Sequence, residues 1–255
     1  MSPVAGPLGS SAMTPTPATD PFAALLALEG VPSAYAAARD GIDVLLRDRG
    51  LRRTTPEDTV EALVRGAYAS AVLDGSTSSL DDLRRAAGDE TALASLRLST
   101  ELMTLVPQLA RSPLQVFARL HTLAARGTVP DDELGRPRDP AAAERLRTLS
   151  SALTTATAAP GLLVAAVVHA EVASGDPFAS HNGLVARALE RLVLASRGVD
   201  ERSVTVPEAA HLALRPAYES NLRGYRDGGT AGVHAWLLYA AEAFARGAEE
   251  SPLAG

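Results

Sequence analysis

PGLLVAAVVHAEVASGDPFASHNGLVARALERLVLASR, residues Pro160–Arg197, is the stretch whose reading decides the fold. Its first part carries the continuous apolar run Leu162–Val168, and its last part repeats apolar residues at three- and four-residue steps, the period of a helix and not of a strand. Between them, Gly175–His181 supplies Gly, Asp and Pro, which close one helix and admit the next. The spacing predicts a helix pair, Pro160–Ser174 and Asn182–Arg197, joined by a seven-residue loop. Asn182-Gly183 then falls in the first turn of the second helix, where backbone N–H groups lack intrahelical partners and the dipole favours an anion. Arg187, four residues after Gly183, stands one turn further on, in place to add a bidentate contact to the same anion. The plainer alternative is a capped helix start with a surface arginine.

Outward from this pair the chain reads as helices throughout. A side-chain acceptor precedes a proline at Asp20-Pro21, Thr55-Pro56, Ser112-Pro113 and Asp139-Pro140, giving an N-cap oxygen and then a residue whose missing N–H costs nothing. Gly30, Gly50, Gly88, Gly127, Gly175 and Gly198 mark helix ends, being able to turn left-handed. Thr55–Asp74 has one apolar face; Ser79 with Asp82 forms a capping box; a further helix runs from Glu90 to Val106, where Pro107 ends it. Other helices are predicted at Pro113–Arg126, Pro140–Thr157, near Pro207, at Pro216–Arg226 and at Thr230–Arg246. The expected fold class is all-α, a helical bundle, with one irregular loop, Gly127–Asp139, long enough to be functional. Residues 1–19 are rich in Pro, Ser, Thr and Gly and read as a disordered tail, with a single domain over 20–250.

Composition narrows the chemistry. The 24 basic residues are all arginine, which removes P-loop lysines, Schiff-base lysines and Ser-x-x-Lys hydrolases. A net charge of -6 with scattered arginines gives no footprint for a nucleic-acid backbone. With no cysteine there is no thiol nucleophile and no zinc-thiolate site, and a reducing cytoplasm is the expected location. The uncharged run Thr148–Ala170 contains six Ser or Thr residues and Pro160, so a buried helix is expected and not a membrane span. No HExxH or HxH spacing occurs, so no metal site is assigned; a trio of His169, Asp176 and His181 is the conceivable one, against ordinary core or capping roles.

Pro177-Phe178 followed by Asn182-Gly183 and Arg187 resembles the HPFx(D/E)GNGRxxR motif of the Fic family, with matching spacing throughout Asp176–Arg187, DPFASHNGLVAR. His169 and the apolar run before it are similar to the family's preceding helix. Ser70–Gly75, SAVLDG, resembles the inhibitory motif [ST]xxxE[GN], with Asp74 where Glu is usual and Gly75 last. Leu120-His121, and Tyr225–Gly228 followed by Trp236-Leu237, resemble the helices before the family's flap and at its end, so the likeness covers about Thr55–Arg246. The resemblance implies a Fic-like bundle and transfer of AMP from ATP to a hydroxyl on a target protein. It further implies a base at the motif's first position, a magnesium-binding acid, a phosphate cradle at Asn182 and Gly183, and an ion pair of the inhibitory acid, Asp74, with Arg187.

The departures fall on the chemical positions. Asp176 stands where the family has its base, and a carboxylate with an ordinary pKa near 4 accepts protons poorly at neutral pH. Ser180 replaces the metal-binding acid and Leu184 the first arginine, so magnesium loses its ligand and phosphate a charge. His181 replaces a glycine in the cradle, and as a substitute base it needs a different substrate pose. Gly135–Arg138, GRPR, sits where the family places its target-aligning flap, but its prolines suit main-chain pairing poorly. The favoured expectation is a degenerate Fic scaffold that binds a nucleotide, an anion or a protein at the old cleft. One alternative is an active nucleotidyl- or phosphotransferase using Asp176 or another donor; another is a structural bundle whose likeness is chance.

Overall fold

The computed structural model describes residues 20–48 and 54–254; the tail predicted over 1–19 and the helix stop at Gly50 lie outside the described residues. Twelve helices and no strand occur among the described residues. A one-turn element, α1 (Ala23–Leu26), leads into the long α2 (Val31–Asp48), followed by α3 (Pro56–Leu73), α4 (Leu80–Arg84), α5 (Glu90–Leu109) and α6 (Pro113–Ala125). Then come α7 (Pro140–Thr154), α8 (Gly161–Gly175) and α9 (Asn182–Ser196), and finally α10 (Pro207–Ala213), α11 (Arg215–Asp227) and α12 (Gly229–Glu249).

The predicted helix pair is the axis of the molecule. Every residue of α8 from Leu162 to Ala170 is buried, as is every residue of α9 from Leu184 to Ala195. α8 is apolar on all sides, as a fully enclosed helix must be. α9 is not: Arg187, Glu190 and Arg191 lie inside, and each needs an internal partner. α5 and α6 pack against α9, α11 and α12 against α8, and α3 reaches α9 from a layer it shares with α5 and α10.

Local chemistry explains most boundaries. Thr55 and Ser79 form reciprocal capping boxes with Asp58 and Asp82, and the Asp139 carboxylate accepts from the Ala142 N–H at 2.7 Å. Gly127 and Gly198 have positive φ just past the ends of α6 and α9, as predicted for helix ends; Gly30 and Gly88 also have positive φ but stand before α2 and α5, and the left-handed residue after α4 is Ala86. Four further expectations are corrected. Pro107 lies inside α5 although it removes a hydrogen bond there, only two residues before the helix ends, and burial of Leu105 and Leu109 holds that last turn in place. Ser112 makes no capping bond. α7 ends at Thr154, three residues short of the predicted Thr157, and 155–160 separate it from the buried α8. The left-handed residue after α8 is Asp176, φ 43°, and not Gly175, which remains helical. No helix among the described residues is long and apolar enough to cross a membrane.

Candidate functional site

The loop between α8 and α9 begins and ends on left-handed residues, Asp176 and His181 with φ 43° and 57°. Non-glycine residues pay for that conformation, and Asp and His are among those that tolerate it best. Between them Pro177 and Phe178 are buried. Asn182 fixes the loop: its Oδ1 accepts from the Phe178 N–H at 2.9 Å and its Nδ2 donates to the Phe178 carbonyl at 3.0 Å. The Asn182 amide is thus committed to the main chain and shapes the loop.

Phe178 stacks on His121 with ring centroids 4.4 Å apart and planes 6° from parallel. His121 Nδ1 accepts from the Gly135 N–H at 2.9 Å, which places the ring proton on Nε2, a buried atom with no partner. Burial first, and then the nearby His181, push the His121 pKa down to about 4. The Gly135–Arg138 loop is bound a second time, the Arg138 N–H donating to the Pro177 carbonyl at 2.9 Å. Its main chain is thus paired within the molecule at both ends.

Arg187, 2% exposed, donates to four acceptors. Nε binds Ser70 Oγ at 2.8 Å, Nη1 the Tyr218 hydroxyl at 3.1 Å, and Nη2 the Ser70 carbonyl at 3.1 Å and the Asp74 carboxylate. Burial works against the guanidinium charge, but Asp74 and Tyr218 more than offset it and raise its pKa. Asp74 caps α3, followed by left-handed Gly75, φ 94°, and its carboxylate lies directly over Gly183. A Cβ at residue 183 would come within 2.7 Å of Asp74 Oδ1 and 3.2 Å of Arg187 Nη1. The anion position at the start of α9 thus holds the chain's own carboxylate.

Of the chemical positions, Leu184 points into the core at 1% exposure, where it carries no charge to a ligand. Ser180 Oγ is 2.7 Å from His181 Nδ1, and burial lowers the His181 pKa despite the opposing charge of Asp74. His169 joins neither Asp176 nor His181; it lies fully buried beside Glu190, His211 and Tyr218. Sequence reasoning missed Glu190, His211 and Tyr218. Tyr218 is the link between Arg187 and His169, its hydroxyl 2.9 Å from His169 Nε2, and burial raises its own pKa to about 12. One signal was present in the sequence: charges at 187, 190 and 191 stand on a helix whose remaining residues are nearly all apolar.

No family model and no curated protein matches the chain. Solved structures do. A Fic family protein from Desulfovibrio desulfuricans G20 superposes with a TM-score of 0.71 at 17% identity, over 88% of this chain and 74% of that one. Fic-1 from C. elegans gives a TM-score of 0.66 at 16% identity, over 86% and 71%. Agreement over that length sets aside a chance likeness confined to a few motif residues. The helices of this chain are assembled in the fold of Fic family proteins.

Proposed function

We propose that this chain is a Fic-fold protein in which AMP transfer is weak or lost, and which acts by holding a nucleotide, another anion or a protein partner at the start of α9. What most supports this is the state of Arg187, the one motif arginine left, whose donors go to Ser70, Tyr218 and Asp74 with nothing facing solvent. The motif's first position offers only the Asp176 carboxylate as base, and Ser180 offers no acidic metal ligand. Losses of this kind act on one transition state and compound. Magnesium has no carboxylate in the motif to hold it, and hard dications bind neutral hydroxyls weakly.

A ligand reaches Gly183 and Arg187 only after Asp74 leaves. Calorimetric titration with ATP therefore distinguishes the natural chain from Asp74→Ala: binding is expected to be at least about tenfold tighter in the variant, since a competing carboxylate is gone. Neither protein is expected to label itself or added proteins from labelled ATP, whereas Asp74→Ala combined with Asp176→His and Ser180→Asp is expected to gain labelling. Transfer by the natural chain that disappears in Asp176→Ala would overturn the proposal in favour of an active transferase with altered chemistry. Equal and undetectable ATP binding by both proteins would remove the nucleotide from it.

A further inference from the structure

His169 on α8, Glu190 on α9 and His211 on α10 meet in the middle of the bundle, each with a side chain at 0% exposure. Their donor atoms all lie within 4.8 Å of one another. One carboxylate receives two imidazoles, His169 Nδ1 being 2.9 Å from Glu190 Oε1 and His211 Nε2 3.1 Å from Oε2. Each outer ring nitrogen is held by a tyrosine, His169 Nε2 by the Tyr218 hydroxyl at 2.9 Å and His211 Nδ1 by the Tyr239 hydroxyl at 2.9 Å. Imidazoles that ligate metals are held in this manner, the far nitrogen fixed by an outer partner so that the near one is aimed at the ion.

Hydrogen bonding leaves one atom of this cluster unexplained. His169 Nδ1 lies 2.9 Å from Glu190 Oε1 as an ion-pair contact, without a well-formed hydrogen bond. The hydroxyl of Tyr35 on α2 is buried without a partner too, and the charge of Glu190 is felt there. A buried polar atom left without a partner is costly, which sets such atoms apart from the well-paired polar groups around them. The buried charges point the same way: Arg187 has Asp74 and Arg191 has Glu208, whereas Glu190 has no guanidinium.

We propose that His169, Glu190 and His211 hold a divalent transition-metal cation of the zinc class that ties α8, α9 and α10 together. Two imidazoles and a carboxylate are a borderline donor set suited to zinc, where magnesium or calcium would require more oxygens. Full burial of the three ligands makes the centre structural, since a catalytic zinc keeps a position open to substrate.

Elemental analysis of the full chain, freed of any affinity tag and dialysed against metal-free buffer, is expected to find about one zinc per chain, as a closed site retains its metal. His211→Gln and Glu190→Gln are expected to fall to roughly a tenth of that or less. As these variants can fail to fold, the natural chain is also unfolded with chelator and refolded with and without zinc chloride; the zinc-refolded sample is expected to have the higher Tm. Natural chain carrying under about a tenth of a metal ion, with a Tm unmoved by zinc during refolding, would overturn the proposal. So would full zinc retention in folded Glu190→Gln. Neither result bears on ATP binding at Gly183.

Discussion

Asp176 and His121 show how much depends on single residues around the α8–α9 loop. Asp176 holds φ 43° at the end of α8, a conformation glycine adopts without strain. Asp176→Gly is therefore expected to be neutral or stabilising by up to about 1 kcal/mol in urea unfolding, and Asp176→Ala destabilising. A marked loss of stability in the glycine variant would mean that the carboxylate holds the loop through contacts of its own. His121 is kept neutral by burial, with a folded pKa of about 4 against 6.5 in the unfolded chain. Its contribution is fully present above pH 6.5 and is lost as pH falls from 6.5 towards 4, because the unfolded chain takes up the proton first. The loss is on the order of 1–3 kcal/mol. His121→Gln, which keeps an acceptor for Gly135, is expected to flatten stability over that window relative to the natural chain; an unchanged pH slope would refute the assignment. The motif spacing made Arg187 and Asp74 legible as a pair. Tyr218 was not, since it stands in a helix of ordinary composition and meets Arg187 across 31 residues, and Glu190 stood out only as a charge on an apolar helix, its partner His211 lying 21 residues away.

Helices were legible where an end has its own chemistry. Thr55, Ser79 and Asp139 mark starts whose caps form as written, and the α8–α9 pair follows from its period. Boundaries set by packing were not: Pro107 is carried inside α5 by leucines that the sequence does not say are buried together. Small residues hold the closing pair just as silently. Gly224, Gly228 and Gly232 let α11 and α12 approach backbone to backbone, and a Cβ on Gly232 would come within 1.8 Å of the Gly224 carbonyl oxygen. No side-chain rotation relieves such a contact, so the helices must separate. Gly232→Ala is expected to cost about 3 kcal/mol or more in urea unfolding, comparable to severe overpacking. A loss under about 1 kcal/mol would show that the crossing yields easily.

Across the whole molecule, α8 and α9 are enclosed by helices from both ends of the chain, so the core forms only when distant segments meet. Trp236, the single tryptophan, reports on that event: it is fully buried, donates to the Ala166 carbonyl at 2.9 Å, and packs against His169, Tyr218 and Tyr239. Its fluorescence and the far-UV ellipticity are expected to change at the same urea midpoint. Two separated midpoints would show that α12 leaves α8 before the rest unfolds. The carboxylate of Asp74 over Gly183 has a consequence of another kind. Because it is tethered, it competes with any free anion at a fixed local concentration that dilution cannot lower, and apparent affinity becomes intrinsic affinity scaled by the fraction of molecules with Asp74 displaced. If that fraction is about one in a hundred, apparent affinity falls about a hundredfold. Occupancy of the cradle would then be set by whatever draws α3 away from α9 and only secondarily by how well the anion fits.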